Sequence, residues 1–289
     1  SEGLPIVRLP GNLGVLPVLR SDGTSLYQTK ELALSMRKFR EHPVDKSIVV
    51  TDVSQTLYFK QVYKVLDLYG FEHAKDLQHL AYERVNLPEG KMASRKGNVV
   101  AYEDLAEDAI LRVNDIVAQK NPSLPLEERH RVAEEVAISA LKFAMIGVSN
   151  TSVITFDWER VLDFDGYAGP YVQYAYVRAK RILERGKITS YQTLNPKPPT
   201  LEPVERMLLE TMADFPNQVS RATDQRSPVT IASYVFELAK QFSDFYQSCR
   251  VLQEPDPAIR DFRLALTACV KQVLGNGLTL LGLSLPEAM

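Results

Sequence analysis

The stretch SIVVTDVSQTLYFKQVYKVLDLYGFEHAKDLQHLAYERV (Ser47–Val85) decides the fold of the first part of the chain. It opens with SIVVTDV, apolar and β-branched throughout, the composition of a strand buried on both faces. A helical segment follows, with apolar residues at Phe59, Val62, Tyr63, Val65, Leu66 and Leu68, and it stops at Gly70, a glycine C-terminus. LQHLAYERV then reads as a second strand. Upstream, GVLPVLRSDG is a short apolar run that ends in a turn at Asp22-Gly23. SLYQTKELALSMRKFREH carries Leu26, Leu32, Leu34, Met36 and Phe39 at helical spacing, with a cap expected near Thr24 or Thr29. Strand–helix–strand–helix–strand implies a parallel sheet with helices on its faces. Residues 1–100 are therefore expected to form a partial Rossmann-like α/β nucleotide-binding domain, about half of a full one.

From Ala101 the pattern becomes helical. YEDLAEDAILRVNDIVAQKN and PLEERHRVAEEVAISALKFAMIGVS are long amphipathic segments, TSVITFDWERVLDFDG is mixed and extended, and GPYVQYAYVRAKRILERG begins an all-helical remainder. After a Pro-rich connector (Asn195–Pro203), three more helices are expected, the second opening at Ser227-Pro228. Short links imply antiparallel neighbours and a helical bundle. The 289 residues suffice for two ordinary domains, and 45% hydrophobic with 24% charged residues is normal for a globular protein. A net charge of −2 means that any nucleic-acid binding must come from local basic patches. No apolar run is long enough to span a membrane, and no secretory signal opens the chain. Cys249 and Cys269 have no metal spacing and read as two core thiols in a reducing compartment. His42, His73, His79 and His130 show no ligand spacing either, so no metal site is expected.

LPEGKMASRKGNVV (Leu87–Val100) places Lys91, Arg95 and Lys96 between Gly90 and Gly97, after a strand of the α/β domain. A loop there is where such folds bind ligands, and its cations can neutralise a triphosphate. The plainer alternative is a solvated basic loop. It is not a P-loop, because the GxxxxGK[ST] spacing is missing.

Five segments carry a resemblance. KMASRKG resembles the second signature of class I aminoacyl-tRNA synthetases in its arginyl form, Lys-Met-Ser-Ser-Arg-Lys-Gly, with Ala93 for the first Ser. SDGTSLYQTKELA, SQTLYFKQVYKVL, FDGYAGPYVQYAYVRAKRIL and RLALTACVKQVLGNGLTLLGLSLPEAM resemble other arginyl-tRNA synthetase segments, in the same order and over essentially the whole chain. The resemblance implies a ligase that activates arginine with ATP, accompanied by Mg2+ and without a prosthetic group, and passes the arginyl group to its tRNA. It implies residues 1–100 as the C-terminal half of the catalytic domain, 101–165 as a linking, stem-contact region, and 166–289 as an all-α helical-bundle anticodon-binding domain. The expected partners are tRNA, arginine and ATP, with neither membrane nor DNA, and the expected location is cytoplasmic.

Residue by residue, the resemblance makes Lys91, Ser94 and Lys96 catalytic and Lys91, Met92, Ser94, Arg95 and Lys96 ATP-binding. Tyr27, Glu31 and Gln55 match arginine-contacting positions. Glu31 stands where the family has Asp, one methylene longer, and Tyr58 where it usually has His. Each has a plainer reading: Tyr27 a core aromatic, Glu31 a helix-surface charge, Gln55 a capping residue. Tyr171, Tyr174, Arg178, Tyr246 and Met289 match tRNA-binding positions. Tyr171 and Tyr174, three apart, share a helix face on which rings can stack on bases, with Arg178, Lys180 and Arg181 near for phosphates. Tyr176 reads as core.

The family's first signature, His-x-Gly-His, has no counterpart in the sequence, and the chain starts without Met. The expectation is therefore the C-terminal part of an arginyl-tRNA synthetase, inactive alone. The alternative is a stand-alone, synthetase-derived tRNA-binding protein without aminoacylation activity. A different class I synthetase is the weaker third reading, because all five segments have the arginyl form.

Overall fold

The computed structural model describes residues 3–87, 90–91, 101–187 and 200–289. These form two compact units. One runs up to Arg84 and includes Asn150–Val153; the other holds Val85–Ser149 and Ile154–Met289.

In the first unit, β1 (Ile6–Arg8) and β2 (Val15–Pro17) form an antiparallel hairpin. The chain then turns at Arg20–Thr24, where Gly23 takes φ +82° and Asp22 accepts hydrogen bonds from the Thr24 N–H at 2.9 Å and hydroxyl at 2.6 Å. Helix α1 (Tyr27–Glu41), strand β3 (Ser47–Asp52), helix α2 (Thr56–Tyr69) and strand β4 (Leu77–Tyr82) follow, and β3 and β4 pair in parallel from Ser47↔Leu77 to Asp52↔Tyr82. Of the expected strand–helix–strand–helix–strand, the last three elements form the parallel pair, while the first strand, β2, pairs antiparallel with β1 in a separate sheet. Helix α2 buries Phe59, Val62 and Leu66 at helical spacing, and the last two share a core cluster with Leu9, Leu16 and Leu77. It ends at Gly70, whose φ of +83° lets its N–H reach the Leu66 and Asp67 carbonyls. The Gln61 amide donates to the Leu13 carbonyl at 2.6 Å, fastening the hairpin to α2.

Two local expectations are corrected. Strand β3 is not buried on both faces: Ile48 is 45% and Val50 58% exposed. Among the described residues β3 and β4 make a two-stranded sheet, and nothing covers the side that carries those residues. Helix α1 is capped by neither threonine. Its N-cap is Leu26; Thr24 bonds to Asp22, and the Thr29 hydroxyl, already inside the helix, donates to the Val18 carbonyl.

In the second unit, β5 (Val85–Leu87) pairs antiparallel with β6 (Gly90–Lys91) and parallel with β7 (Ile154–Thr155). Helices α3 (Tyr102–Lys120) and α4 (Leu126–Ile146) pack through small residues, among them Ala106, Ala109, Ala133 and Ala137. Short α5 (Trp158–Val161) leads to α6 (Gly169–Arg185), and the bundle is completed by α7 (Pro203–Ala213), α8 (Phe215–Gln225), α9 (Val229–Ser248) and α10 (Pro257–Leu280). Four helices thus follow the connector where three were expected. EPVERMLLETMADFPNQVSRAT breaks at Asp214, because Pro216 fits only the first turn of a helix, where its missing N–H is not needed. Gly277 of α10 faces Val235 of α9 so closely that a Cβ there would lie 2.2 Å from a valine methyl. Cys249 is buried, but Cys269 lies on the outer face of α10 and is exposed, so only one of the two expected core thiols is one.

One ion-pair network runs through the bundle. Arg263 of α10 donates Nε to Glu205 at 2.7 Å, and Nη1 to Glu254 at 2.7 Å and to the Arg250 carbonyl at 2.8 Å. Glu205 is the third residue of α7, and its other carboxylate oxygen accepts the Glu202 N–H at 2.9 Å, closing a capping box. Side-chain exposure is 10% for Arg263 and 2% for Glu205, so removing one partner strands a buried charge. Glu205→Ala is expected to destabilise the fold by about 3–5 kcal/mol in urea unfolding. A loss below about 1 kcal/mol would show the pair to be dispensable.

Candidate nucleic-acid interface and amino-acid pocket

In the helical unit, a cleft of about 560 Å3 opens between α6 and the end of α9 with the segment that follows it. Arg178, Arg181, Arg185 and Arg250 line it, and its lining contains no carboxylate. Helical spacing explains the first three: Tyr174, Arg178, Arg181 and Arg185 recur every three or four residues on the face of α6 opposite its buried stripe of Val172, Ala175 and Ala179.

At the centre, the Arg178 guanidinium lies 4.6 Å from the Tyr174 ring centroid and 4.9 Å from that of Tyr246, and Nη1 donates to the Ser243 hydroxyl at 3.4 Å. Two rings hold the guanidinium by cation–π attraction and leave its edge to hydrogen-bond in plane. Arg178, beside the ring, pulls the Tyr174 phenol below the usual tyrosine range, with the charges of Lys120 and Arg181 adding to it against the opposing effect of burial.

The other residues predicted to touch RNA lie elsewhere. Tyr171 packs on the bundle core with its ring 5.2 Å from Phe236, and it does not line the cleft. Met289 is 5% exposed, in the core cluster against which Tyr174 packs, so its side chain is interior. Lys180 pairs with Glu287 and, at 3.8 Å, with Glu184, which directs it away from the arginines. Tyr176 is a packing residue, as expected. Sequence reasoning missed Gln247, Arg250 and Gln253, which complete the far wall. The available signal was a carboxylate-free run from Phe245 to Gln253 at a helix end.

In the first unit, the structure settles the three plainer readings. Glu31 is not a surface charge but one of the two buried residues of α1, at 7% exposure, and among the described residues no cation pairs with it. Its charge reaches the phenols of Tyr58 and Tyr63. The Tyr58 hydroxyl is buried without a hydrogen-bond partner among the described residues, and burial first, then the Glu31 carboxylate, hold it protonated well above the usual range. Tyr63 donates to the Gln78 carbonyl at 3.2 Å and is pushed up to about 12 by the same two causes. Tyr27 is not a core aromatic: it is 63% exposed, its ring 5.6 Å from Tyr58. Gln55 is exposed just before α2 and makes no side-chain cap. Tyr27, Glu31 and Tyr58 are therefore neighbours, with Gln55 one turn before Tyr58.

Met92, Ser94, Arg95 and Lys96 lie outside the described residues; the backbone of Lys91 ends β6. His79 bonds to the Thr51 hydroxyl at 2.8 Å and stacks 4.7 Å from Phe59, and burial lowers its pKa. Among the described residues no group of histidine, cysteine, aspartate or glutamate side chains is placed to hold a metal ion.

Residues 1–158 match the family described as tRNA synthetases class I (R), catalytic domain, and residues 172–289 match the DALR anticodon binding domain. The chain belongs to the arginyl-tRNA synthetase family. It is 37% identical over 290 aligned residues to the arginine–tRNA ligase of Clostridium botulinum, covering all of this chain and 51% of that protein. It is likewise 37% identical to the arginine–tRNA ligase of Bdellovibrio bacteriovorus, over 96% of this chain and 48% of the relative. The arginyl-tRNA synthetase of Thermus thermophilus superposes with a TM-score of 0.88 at 29% identity, over 99% of this chain and 54% of that one. The chain spans about half the length of the curated relatives it matches. Both expected parts, the Rossmann-like catalytic portion and the helical anticodon domain, are thus members of the family's domain types. No helix among the described residues is long and apolar enough to cross a membrane.

The pull of Arg178 on the Tyr174 phenol predicts a titration. In Arg178→Met the Tyr174 phenol should ionise at higher pH than in the parent, as followed by NMR of labelled tyrosine. An unchanged curve would mean that the guanidinium does not engage that oxygen.

Proposed function

We propose that the chain serves ATP-dependent attachment of arginine to its tRNA, in the cytoplasm, and that its helical unit supplies anticodon recognition. The observation that carries this reading is the cleft: four arginines and no carboxylate in its lining, one of the four clamped between two rings, in a domain of the anticodon-binding family. Arginines along a groove neutralise phosphates, and exposed rings stack on bases that have left the helix. Tyr174, Arg178 and Tyr246 are proposed to face the RNA, with Tyr171 and Met289 supporting them through the packing beneath.

Glu31 supports arginine as the amino acid. A carboxylate buried without a cation is unfavourable, and an entering guanidinium supplies the missing charge through paired hydrogen bonds. Tyr27 and Gln55 would bound the same pocket. The loop with Lys91, Met92, Ser94, Arg95 and Lys96 is proposed to bind ATP with its Mg2+, and Lys91, Ser94 and Lys96 to stabilise the pentacovalent phosphate. In this division of labour, residues 1–100 carry arginine and ATP contacts, 101–165 the tRNA stem, and 166–289 the anticodon. No His-x-Gly-His occurs in the sequence, so the chain on its own is proposed to bind tRNA without charging it.

The test is binding to arginine tRNA and to the same tRNA with a substituted anticodon, at two salt concentrations, with a charging assay alongside. The native anticodon should be preferred, and Tyr174→Ala and Tyr246→Ala should each cost about 1–3 kcal/mol of binding. Equal, strongly salt-sensitive binding would mean that only phosphates are felt. Arginyl-tRNA formed by the chain alone would overturn the incomplete-enzyme reading.

A further inference from the structure

The far wall of the cleft is a short connection, not a helix. It runs from the end of α9, where Gln247 sits in the last turn, to the start of α10 and carries Arg250 and Gln253. A connection of this kind needs an external hold if its side chains are to keep a fixed geometry. Packing provides one part, because Cys249 and Val251 are buried at 7% and 4% exposure. The polar part comes from one side chain. Arg263 donates Nη1 both to the Arg250 carbonyl and to Glu254, while its Nε is committed to Glu205 at the start of α7. The backbone of Arg250 is thus pinned on the inner side, while its side chain lines the cleft.

We propose that Arg263 is a positioning residue for recognition in the cleft. It does not line the cleft. It acts by fixing where the connection presents Arg250 and Gln253 relative to the clamped guanidinium of Arg178. This rests on the reading of the cleft as the RNA interface. The chemistry favours arginine for the task, since a planar guanidinium spans three acceptors in set directions and an ammonium cannot. Arg263→Lys keeps the charge that Glu205 needs and loses the simultaneous hold on Arg250. Glu254→Gln leaves the Glu205 pair and the capping box intact and removes only the charged anchor on the connection.

The experiment measures the preference for the native over the substituted anticodon, together with the salt slope, in the full chain, in Arg263→Lys and in Glu254→Gln. The folded fraction is fixed by circular dichroism, and Glu254→Gln decides the matter if Arg263→Lys does not fold. The expected result is a preference reduced by roughly fivefold with an unchanged salt slope, because no phosphate contact is removed. A merely structural role would lower the binding-competent fraction for both RNAs alike and leave their ratio intact, and that outcome overturns the proposal. Absence of any preference in the parent chain would instead remove the reading of the cleft on which the proposal stands.

Discussion

A charge buried in the helical unit sets the terms on which that unit folds. Arg263 sits on α10 with little contact with water, and a guanidinium there is tolerable only if its hydrogen bonds are met. Glu205 of α7 meets one of them, and Glu254 and the Arg250 carbonyl, both on the connection after α9, meet the others. The first turn of α7, the connection after α9 and the body of α10 are therefore held in one arrangement. Glu205 serves twice, since one oxygen takes the guanidinium and the other closes the start of its own helix.

The first unit shows the opposite treatment of a buried carboxylate. Glu31 is as secluded as many core residues, yet among the described residues its neighbours are tyrosine phenols and not cations. Nothing in the packing of α1 asks for a carboxylate there, and an apolar side chain would bury more comfortably. Among the described residues, Glu31 and a Tyr58 hydroxyl without a hydrogen-bond partner lie side by side. Glu205 is a buried acid held by a cation and Glu31 a buried acid set among phenols, and only their surroundings tell them apart.

The basic residues of α6 divide in the same way. Lys180 is tied down by Glu287 and Glu184 and serves the fold. Arg178, Arg181 and Arg185 meet no acid in the cleft, and Arg178 is held instead by two rings that leave its charge unneutralised. Clamping by aromatics orients a cation without cancelling it, so the cleft stays locally basic in a protein with net charge −2.

The elements that local chemistry controls were legible in the sequence. Helix α2 and its stop at Gly70 follow from 3.6-residue spacing and from a backbone angle that glycine adopts freely, and the long helices beyond Ala101 follow from the same spacing. The break at Asp214 was written in Pro216 as well, though it was not read there. Five family segments in order fixed the kind of protein. Tertiary structure alone decided the rest. Ile48 and Val50 have the composition of a doubly buried strand and are exposed, because burial depends on what packs against a face and not on the residues in it. Glu31 turned from a surface charge into a buried one for the same reason. The cleft joins α6 to the end of α9, where Arg178 reaches Ser243, 65 positions away, and part of its far wall lies in a connection without periodicity. Periodicity reports which residues share a face of one helix. Which faces meet, and which charges are left unpaired when they do, is settled only when the helices pack.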